Sequence, residues 1–151
     1  MRDALPRRVS KIRGVVKEIL MLRGIFTNKD KQPNADVVFE QEDYYLFVKV
    51  LVSGKRIASM NCVIEDDRRI LIGDIHHKDS KDYDKGFGSV MMNKLIEYAK
   101  ENGYVEIYGN LSVTDSDHKE RLHHFYAKFG FDIIEYSEVR DMFYGAVRRK
   151  I

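Results

Sequence analysis

The chain has one cysteine, two prolines and no tryptophan among its 151 residues. A single cysteine, Cys62, excludes an internal disulfide and a cysteine-based metal cluster. Cys62 lies in an apolar strand pattern, where a buried thiol is the ordinary interpretation and a nucleophile is the alternative. No apolar run approaches the length of a membrane span, and the first thirty residues are basic without an apolar signal-peptide core. We therefore expect a cytoplasmic protein made of one globular domain, residues 1–151.

Charge is distributed unevenly along the chain. Residues 1–31 carry nine basic and three acidic side chains, whereas the remaining residues carry 17 basic and 21 acidic ones. Residues 7–22 also have helical periodicity, and their apolar stripe consists of Ile12, Val15, Val16, Ile19 and Leu22. The pattern predicts a docked N-terminal helix with a solvated basic face. Contact of that face with nucleic acid or an anionic surface is the alternative.

The middle of the chain has the pattern of consecutive β-strands. A polar loop at residues 28–36 precedes a run at 44–52 that is rich in aromatic and β-branched residues. Ser53-Gly54-Lys55 is a hairpin-turn signal, and strands at 57–64 and 69–76 follow it. Three sequential strands with short turns predict an antiparallel meander.

The second half of the chain alternates between helix and strand. Helical spacing predicts a helix at 89–102 that ends before Gly103, and period-two spacing predicts a strand at 104–113. Asp117-His118-Lys119-Glu120 is typical of a capping box and predicts the start of a second helix, which ends at Gly130. Two closing strands follow at 131–139 and 142–151. Because strand, crossover helix and strand imply parallel pairing, the sequence predicts an α/β (α+β) fold with a mixed sheet.

Two glycines stand between the strand at 69–76 and the helix at 89–102. In the run Asp82-Tyr83-Asp84-Lys85-Gly86-Phe87-Gly88-Ser89, the glycines permit a tight turn and leave amide N–H groups uncovered. The first helical turn adds further N–H groups and the positive end of the helix dipole. Such a loop binds ligand phosphates, although an ordinary flexible turn is the alternative. The glycines are not followed by Gly-Lys-Ser/Thr and lack a third glycine, which disfavours Walker and Rossmann sites.

Residues 72–131 resemble the acetyl-CoA-binding half of the Gcn5-related N-acetyltransferase (GNAT) family. Lys85-Gly86-Phe87-Gly88-Ser89 matches the end of the family's pyrophosphate-loop motif, and Phe125-Tyr126-Ala127-Lys128-Phe129-Gly130-Phe131 matches its second signature. Two residues depart from the first motif. The family usually has Gln or Arg at the position of Tyr83, and it often has Gly at the position of Asp84. The resemblance implies a GNAT-like mixed sheet flanked by helices, with an N-terminal helix, a meander, a β-α-β-α cofactor half and a closing hairpin.

The resemblance also implies acetyl transfer from acetyl-CoA to a primary amine by direct attack. Tyr126 is the implied acid for the departing thiolate, and simple packing is its structural alternative. Asp74 is the first candidate for the base. His76 is a further candidate, with an ordinary loop residue as the alternative. An N–H near residues 74–76 would polarise the thioester carbonyl. The residues expected to bind the cofactor are Ile75, His76, Tyr83, Asp84, Lys85, Gly86, Phe87, Gly88, Ser89, Asn110, Lys119 and Tyr126.

The expected partner is a small-molecule or peptide amine, and neither a membrane nor a metal is expected. His118, His123 and His124 cluster without a carboxylate motif, which disfavours a metal site. A nucleic-acid partner is disfavoured because the domain is not strongly basic and has no aromatic RNA-binding signature. Self-association into a homodimer is left open. The alternatives to an enzyme are a non-catalytic acyl-CoA sensor and a nucleic-acid-binding module that uses the basic N-terminal helix.

Overall fold

A computed structural model describes residues 15–21, 34–79 and 86–151 of the chain. Within these ranges, eight strands form one mixed sheet, which is accompanied by two α-helices and a 3-10 helix. The strands are β1 (Val15–Met21), β2 (Asn34–Glu42), β3 (Tyr45–Val52), β4 (Lys55–Ile64), β5 (Arg69–His77), β6 (Glu106–Ser112), β7 (Asp132–Arg140) and β8 (Phe143–Lys150). The helices are α1 (Phe87–Glu101), the 3-10 helix (Val113–His118) and α2 (Lys119–Lys128). None of the helices in the described ranges has the length and apolar character needed to span a membrane.

The strand order in the sheet is β1-β2-β3-β4-β5-β6-β8-β7. Strands β5 and β6 are parallel, and every other neighbouring pair is antiparallel. The predicted meander, the parallel pair around a crossover helix and the closing hairpin are therefore confirmed. The predicted polar loop at 28–36 is wrong at its end, because β2 begins at Asn34. Buried Ala35, Val37 and Phe39 alternate along β2, but Asp36 and the apolar Val38 stand between them, so the sequence does not alternate regularly between apolar and polar residues.

The predicted N-terminal helix is wrong over its described part. Residues Val15–Met21 form β1, which pairs antiparallel with β2 from Val15 opposite Glu40 to Met21 opposite Asn34. The apolar residues have helical spacing, but β-branched Val15, Val16 and Ile19 favour a strand where a neighbouring strand is available for pairing. The other predicted helical residues, including Ile12 and Leu22, lie outside the described residues.

Helix α1 packs over β3, β4 and β6 on one face of the sheet. Its buried side includes Met91, Met92 and Leu95, which join alternate residues of the strands in a single core. Helix α2 lies on the same face, because Tyr126 belongs to this core and Phe125 contacts α1 at Gly88. Burying a side chain such as Leu95 contributes about 1.5–3 kcal/mol relative to exposure. This packing holds the amino end of α1 beside the carboxyl ends of β5 and β6.

The predicted capping box does not form. The N-cap of α2 is His118, which makes no side-chain cap bond, and Asp117 belongs to the preceding 3-10 helix. That helix starts earlier because the Ser112 hydroxyl accepts a hydrogen bond from the Thr114 amide at 3.2 Å. The predicted glycine at the end of α2 is confirmed, since Gly130 follows the C-cap with a φ of 78°.

Candidate active site

Strands β5 and β6 separate toward their carboxyl ends. Their parallel pairing runs from Arg69 opposite Glu106 to Ile72 opposite Gly109. Beyond these residues β5 stays paired with β4, and β6 stays paired with β8. The result is a wedge-shaped opening, here called the β5–β6 wedge, between residues 73–77 and 110–112. Open α/β sheets bind their ligands at this edge, outside the carboxyl ends of parallel strands.

A β-bulge at Gly73 determines which side chains of β5 face the core. Asn61 of β4 pairs with Asp74, whereas the next residue, Cys62, pairs with Ile72, so Gly73 is the extra residue. The bulge shifts the alternation of side chains by one position. Ile72 and Ile75 therefore both pack against the core, and Asp74 and His76 lie on the face away from α1.

The bulge is followed by a backbone N–H that points into the wedge. The Lys78 amide donates to the Ile57 carbonyl at 2.9 Å. Hydrogen-bonded pairs alternate along antiparallel strands, so the pairs His76–Ser59 and Asp74–Asn61 are also of the bonded type. The N–H and C=O groups of Ile75 consequently point away from β4, toward β6. The Ile75 N–H is therefore the candidate donor to a thioester carbonyl in this strand.

The two predicted base candidates lie side by side. Asp74 Oδ2 is 3.7 Å from His76 Nε2, and the side chains are 73% and 59% exposed respectively. Both are accessible to solvent and to an acceptor approaching the sheet from the face away from α1. A carboxylate beside an imidazole is a suitable arrangement for accepting a proton from an ammonium group.

The start of α1 lies at the same edge of the molecule. Gly86 is the N-cap, with a φ of 83° in the left-handed region that favours glycine, and it makes no side-chain cap bond. Its carbonyl accepts from the Val90 amide at 3.1 Å, which closes the first turn. The first turn, from Phe87 to Val90, contains no acidic side chain. The positive end of the helix dipole is therefore not offset by an acid in that turn.

The predicted loop residues have different surroundings. Phe87 is 1% exposed, so its side chain belongs to the core. A Cβ atom added at Gly88 would lie 3.5 Å from the Phe125 ring, an ordinary packing distance. Ser89 accepts a hydrogen bond from Lys128 at 2.9 Å. Tyr83, Asp84 and Lys85 lie outside the described residues.

Tyr126 is placed on the buried side of α2. It is 7% exposed, and its ring meets Phe125 and Phe131 edge-on with centroids 5.4 Å and 5.3 Å away. Burial raises the pKa of the Tyr126 phenol well above its ordinary value, and neighbouring Cys62 and Asp115 add to the shift. The phenol therefore stays protonated at neutral pH and can donate a hydrogen bond. Packing and the acid role are compatible at this position.

Cys62 lies on the core side of β4 and is 1% exposed. Burial raises the pKa of its thiol to about 12. The thiol is therefore protonated at neutral pH and shielded from solvent, which supports the structural interpretation of this residue.

Two further predicted contacts lie on β6 and at the start of α2. Asn110 is exposed on β6 in the wedge. Lys119 Nζ is 3.0 Å from Glu135 Oε1 and 5.1 Å from the centroid of the Tyr144 ring, so it contacts the closing hairpin.

The sequence did not indicate a second cluster around Tyr144. The Tyr144 hydroxyl is hydrogen-bonded to His123 Nε2 at 2.9 Å, and His123 Nδ1 lies 3.8 Å from Glu135 Oε1. Tyr144 is a bulged residue of β8, which turns it toward α2. The spacing of apolar residues in the sequence does not predict such a bulge. Over the described residues, no group of three or more His, Cys, Asp or Glu side chains is arranged to hold a metal ion.

A bacterial protein is similar in sequence to part of this chain. The protein is 33% identical over 85 residues to the uncharacterized protein YocC of Bacillus subtilis (strain 168), covering 56% of this chain and 48% of that protein. The match thus spans about half the length of this relative.

Three solved structures have a similar fold. One is the PaiA N-acetyltransferase from Thermoplasma acidophilum in complex with coenzyme A, which is 16% identical and has a TM-score of 0.57. The match covers 71% of this chain and 61% of that one, and coverages are given in the same order below. Another is the ribosomal-protein-S18-alanine N-acetyltransferase from Escherichia coli, at 19% identity, 72% and 68% coverage, and a TM-score of 0.54. The third is Arabidopsis thaliana Naa50 with a bisubstrate analogue, at 18% identity, 70% and 72% coverage, and a TM-score of 0.55.

The sequence pattern of one family covers most of the chain. The acetyltransferase (GNAT) family matches residues 18–131, a range that contains β2 to α2 and both sides of the β5–β6 wedge. The chain therefore belongs to the acetyltransferase (GNAT) family.

Proposed function

We propose that this protein is an N-acetyltransferase that transfers an acetyl group from acetyl-CoA to a primary amine by direct attack. The observation that carries the proposal is the separation of β5 and β6 beyond Ile72 and Gly109, beside the start of α1, whose first turn has no acidic side chain. This arrangement leaves backbone groups of β5 and β6 unpaired with each other beside the positive end of a helix dipole.

The described residues suit the two ends of acetyl-CoA. The backbone from Gly86 to Ser89 suits the diphosphate, because a helix start without an acidic side chain favours negative charge. The wedge suits the amide-bearing pantetheine arm, since the Ile75 N–H and C=O can bond it as a neighbouring strand would. Acetyl-CoA supplies the acetyl group as a thioester, whose thiolate is the leaving group.

Different residues around the wedge remove a proton from the acceptor and donate a proton to the leaving group. Asp74, with His76 beside it, accepts a proton from the acceptor ammonium, directly or through water. The Ile75 N–H donates to the carbonyl oxygen as negative charge grows there. Tyr126 gives its proton to the sulfur as the C–S bond breaks and the C–N bond forms. The nitrogen loses two protons and the sulfur gains one, so each turnover releases one proton.

We infer that the acceptor approaches from the face of the sheet on which Asp74 and His76 are exposed. A small-molecule or peptide amine fits this open face. Two structural relatives direct the choice of peptides, since one is named for the alanine of ribosomal protein S18 and the other was solved with the analogue CoA-Ac-MVNAL. Peptides beginning with Ala and Met are therefore the first acceptors to test.

The proposal is tested by incubating the protein with acetyl-CoA and a panel of amines. The panel contains peptides with free N-termini, polyamines and aminoglycosides, and the readouts are thiol release and the mass of the acceptor. We expect one acceptor class to gain an acetyl group, and we expect Tyr126→Phe to slow its formation. Binding of acetyl-CoA without acetylation of any amine would favour a non-catalytic acyl-CoA sensor. A nucleic-acid-binding role would depend on the basic segment predicted as an N-terminal helix. Residues Val15–Met21 of that segment form strand β1 instead.

A further inference from the structure

Helix α2 is held on two sides by different parts of the fold. On one side, the Phe125 ring contacts α1 at Gly88. On the other, His123 Nε2 is hydrogen-bonded to the Tyr144 hydroxyl of β8 at 2.9 Å, and the two rings stack with their centroids 5.9 Å apart. Side chains on a helix advance by about 100° per residue, so His123 and Phe125 point to nearly opposite sides. Tyr126 points between them, into the core.

The rotation of α2 about its axis sets the direction of the Tyr126 phenol. The helix is ten residues long, and Tyr126 is the only one of its residues that is buried. Its N-cap, His118, makes no side-chain cap bond. A short helix of this kind is fixed mainly by its contacts with other elements. The hydrogen bond between His123 and Tyr144 is such a contact, and it lies about one turn before Tyr126.

The surroundings of His123 favour one direction for this hydrogen bond. Glu135 Oε1 lies 3.8 Å from His123 Nδ1, and Lys119 Nζ lies 3.0 Å from the same oxygen. The carboxylate favours the tautomer with the proton on Nδ1, which leaves Nε2 to accept from the Tyr144 hydroxyl. Burial raises the pKa of Tyr144, so its phenol stays protonated and donates at neutral pH. The His123 side chain is 19% exposed, so water competes little for the bond.

The position of Tyr144 depends on an irregularity in β8. Leu111 of β6 pairs with Gly145, and the next residue, Ser112, pairs with Phe143, so Tyr144 is the extra residue. Bulges redirect a side chain and are common next to active sites. This one lies at the carboxyl end of β6, beside the β5–β6 wedge, and it brings a phenol to α2.

We propose that His123 and Tyr144 are positioning residues for acetyl transfer, because their hydrogen bond fixes the rotation of α2 and so directs Tyr126 toward the leaving thiolate. This inference rests on the proposed function. Neither His123 nor Tyr144 gives or takes a proton in the reaction. Misplacing a reacting group by about 1 Å can lower a rate by about a hundredfold, so partial loss of this restraint should lower turnover roughly tenfold.

The test is a double-mutant cycle of Tyr144→Phe and Tyr126→Phe, measured as kcat and as KM for acetyl-CoA with the first amine of the panel that gains an acetyl group. Tyr144→Phe keeps the ring beside His123 and removes only the hydroxyl. Alone, it should lower kcat roughly tenfold and leave both this KM and the calorimetric Kd of CoA nearly unchanged. In the Tyr126→Phe background it should lower kcat no further, because the proton donor that it positions is gone.

Matched variants separate positioning from stability. Tyr98→Phe removes another hydroxyl hydrogen bond, the 3.1 Å bond from α1 to buried Gln41. It should lower the melting temperature at least as much as Tyr144→Phe does, and leave kcat unchanged. His123→Gln retains a hydrogen-bonding group near the position of Nε2 and should keep most of the turnover. His123→Leu has no such group and should lose as much turnover as Tyr144→Phe.

Several results would overturn the inference. Full kcat in Tyr144→Phe, in a protein that acetylates an amine and is slowed by Tyr126→Phe, would overturn it alone and leave the proposed function standing. Losses that multiply in the double variant would show that Tyr144 does not act through Tyr126. An equal loss of kcat in Tyr98→Phe would make lowered stability the cause. Wild-type protein that acetylates no amine would overturn the proposed function and this inference together.

Discussion

Gly73 on β5 lies so close to Asn61 on β4 that an added Cβ atom would be 3.1 Å from the Asn61 carbonyl oxygen. This approach is part of the bulge that pairs Asn61 with Asp74 and Cys62 with Ile72. The bulge places Asp74 on the open face and turns the Ile75 N–H into the wedge. The candidate base and the candidate donor to the carbonyl therefore depend on the same glycine.

Gly73→Ala should lower turnover more than it lowers stability. The new methyl group must displace the β4 backbone by a few tenths of an ångström, which shifts Asp74 and Ile75 together. Small displacements of reacting groups are costly, so we expect turnover to fall roughly tenfold or more, with a modest drop in melting temperature. Steady-state kinetics and thermal unfolding measure the two effects.

Gly54→Ala is the control for this variant. Gly54 has a φ of 75° and no atom within 4 Å of an added Cβ, so this change strains the turn between β3 and β4 without touching the wedge. It should lower the melting temperature and leave turnover unchanged. Full turnover in Gly73→Ala would show that the bulge does not position the reacting groups.

Tyr126→Phe should lower turnover on the order of a hundredfold and leave CoA affinity nearly unchanged. Because burial raises the pKa of Tyr126, the phenol stays protonated above pH 10, the ordinary value for tyrosine. Deprotonation of Tyr126 should therefore not lower wild-type turnover as the pH rises from about 7 to 10. The measurement is turnover against pH for both proteins. An unchanged rate in the variant would leave Tyr126 with a packing role only.

Cys62 should resist thiol reagents in the folded protein. Its thiol is 1% exposed and its pKa is raised to about 12, so little thiolate is available near pH 8. We expect no labelling by an aromatic disulfide reagent at that pH, and one reactive thiol per chain after unfolding in guanidinium. Rapid labelling of native protein with loss of turnover would instead indicate a nucleophilic cysteine.

Much of the fold follows from local patterns in the sequence. Strands β3 to β8 and both α-helices have the periods and glycine boundaries that predict them. The sequence predicts a helix in place of strand β1 because Val15, Val16 and Ile19 have helical spacing, whereas pairing with β2 makes this segment a strand. The bulges at Gly73 and Tyr144 depend on the register of neighbouring strands, which no single segment encodes. Lys128 and Ser89 are 39 residues apart, so their contact appears only when α1 and α2 are packed together.

The central claim is that CoA esters bind at the start of α1, and ligand-dependent thermal unfolding of matched glycine variants tests it most directly. A ligand that binds only the folded state stabilises it by about 2.7 kcal/mol at a hundredfold excess over its Kd. The wild-type melting temperature should therefore rise with acetyl-CoA concentration. Gly86→Val should abolish this rise, because a branched side chain at a φ of 83° distorts the helix start and covers its amides. Gly103→Val imposes the same backbone strain at the other end of α1, with a φ of 73°, and should keep the rise. A wild-type melting temperature that does not respond to acetyl-CoA, or a Gly86→Val variant that responds as the wild type does, would contradict the account.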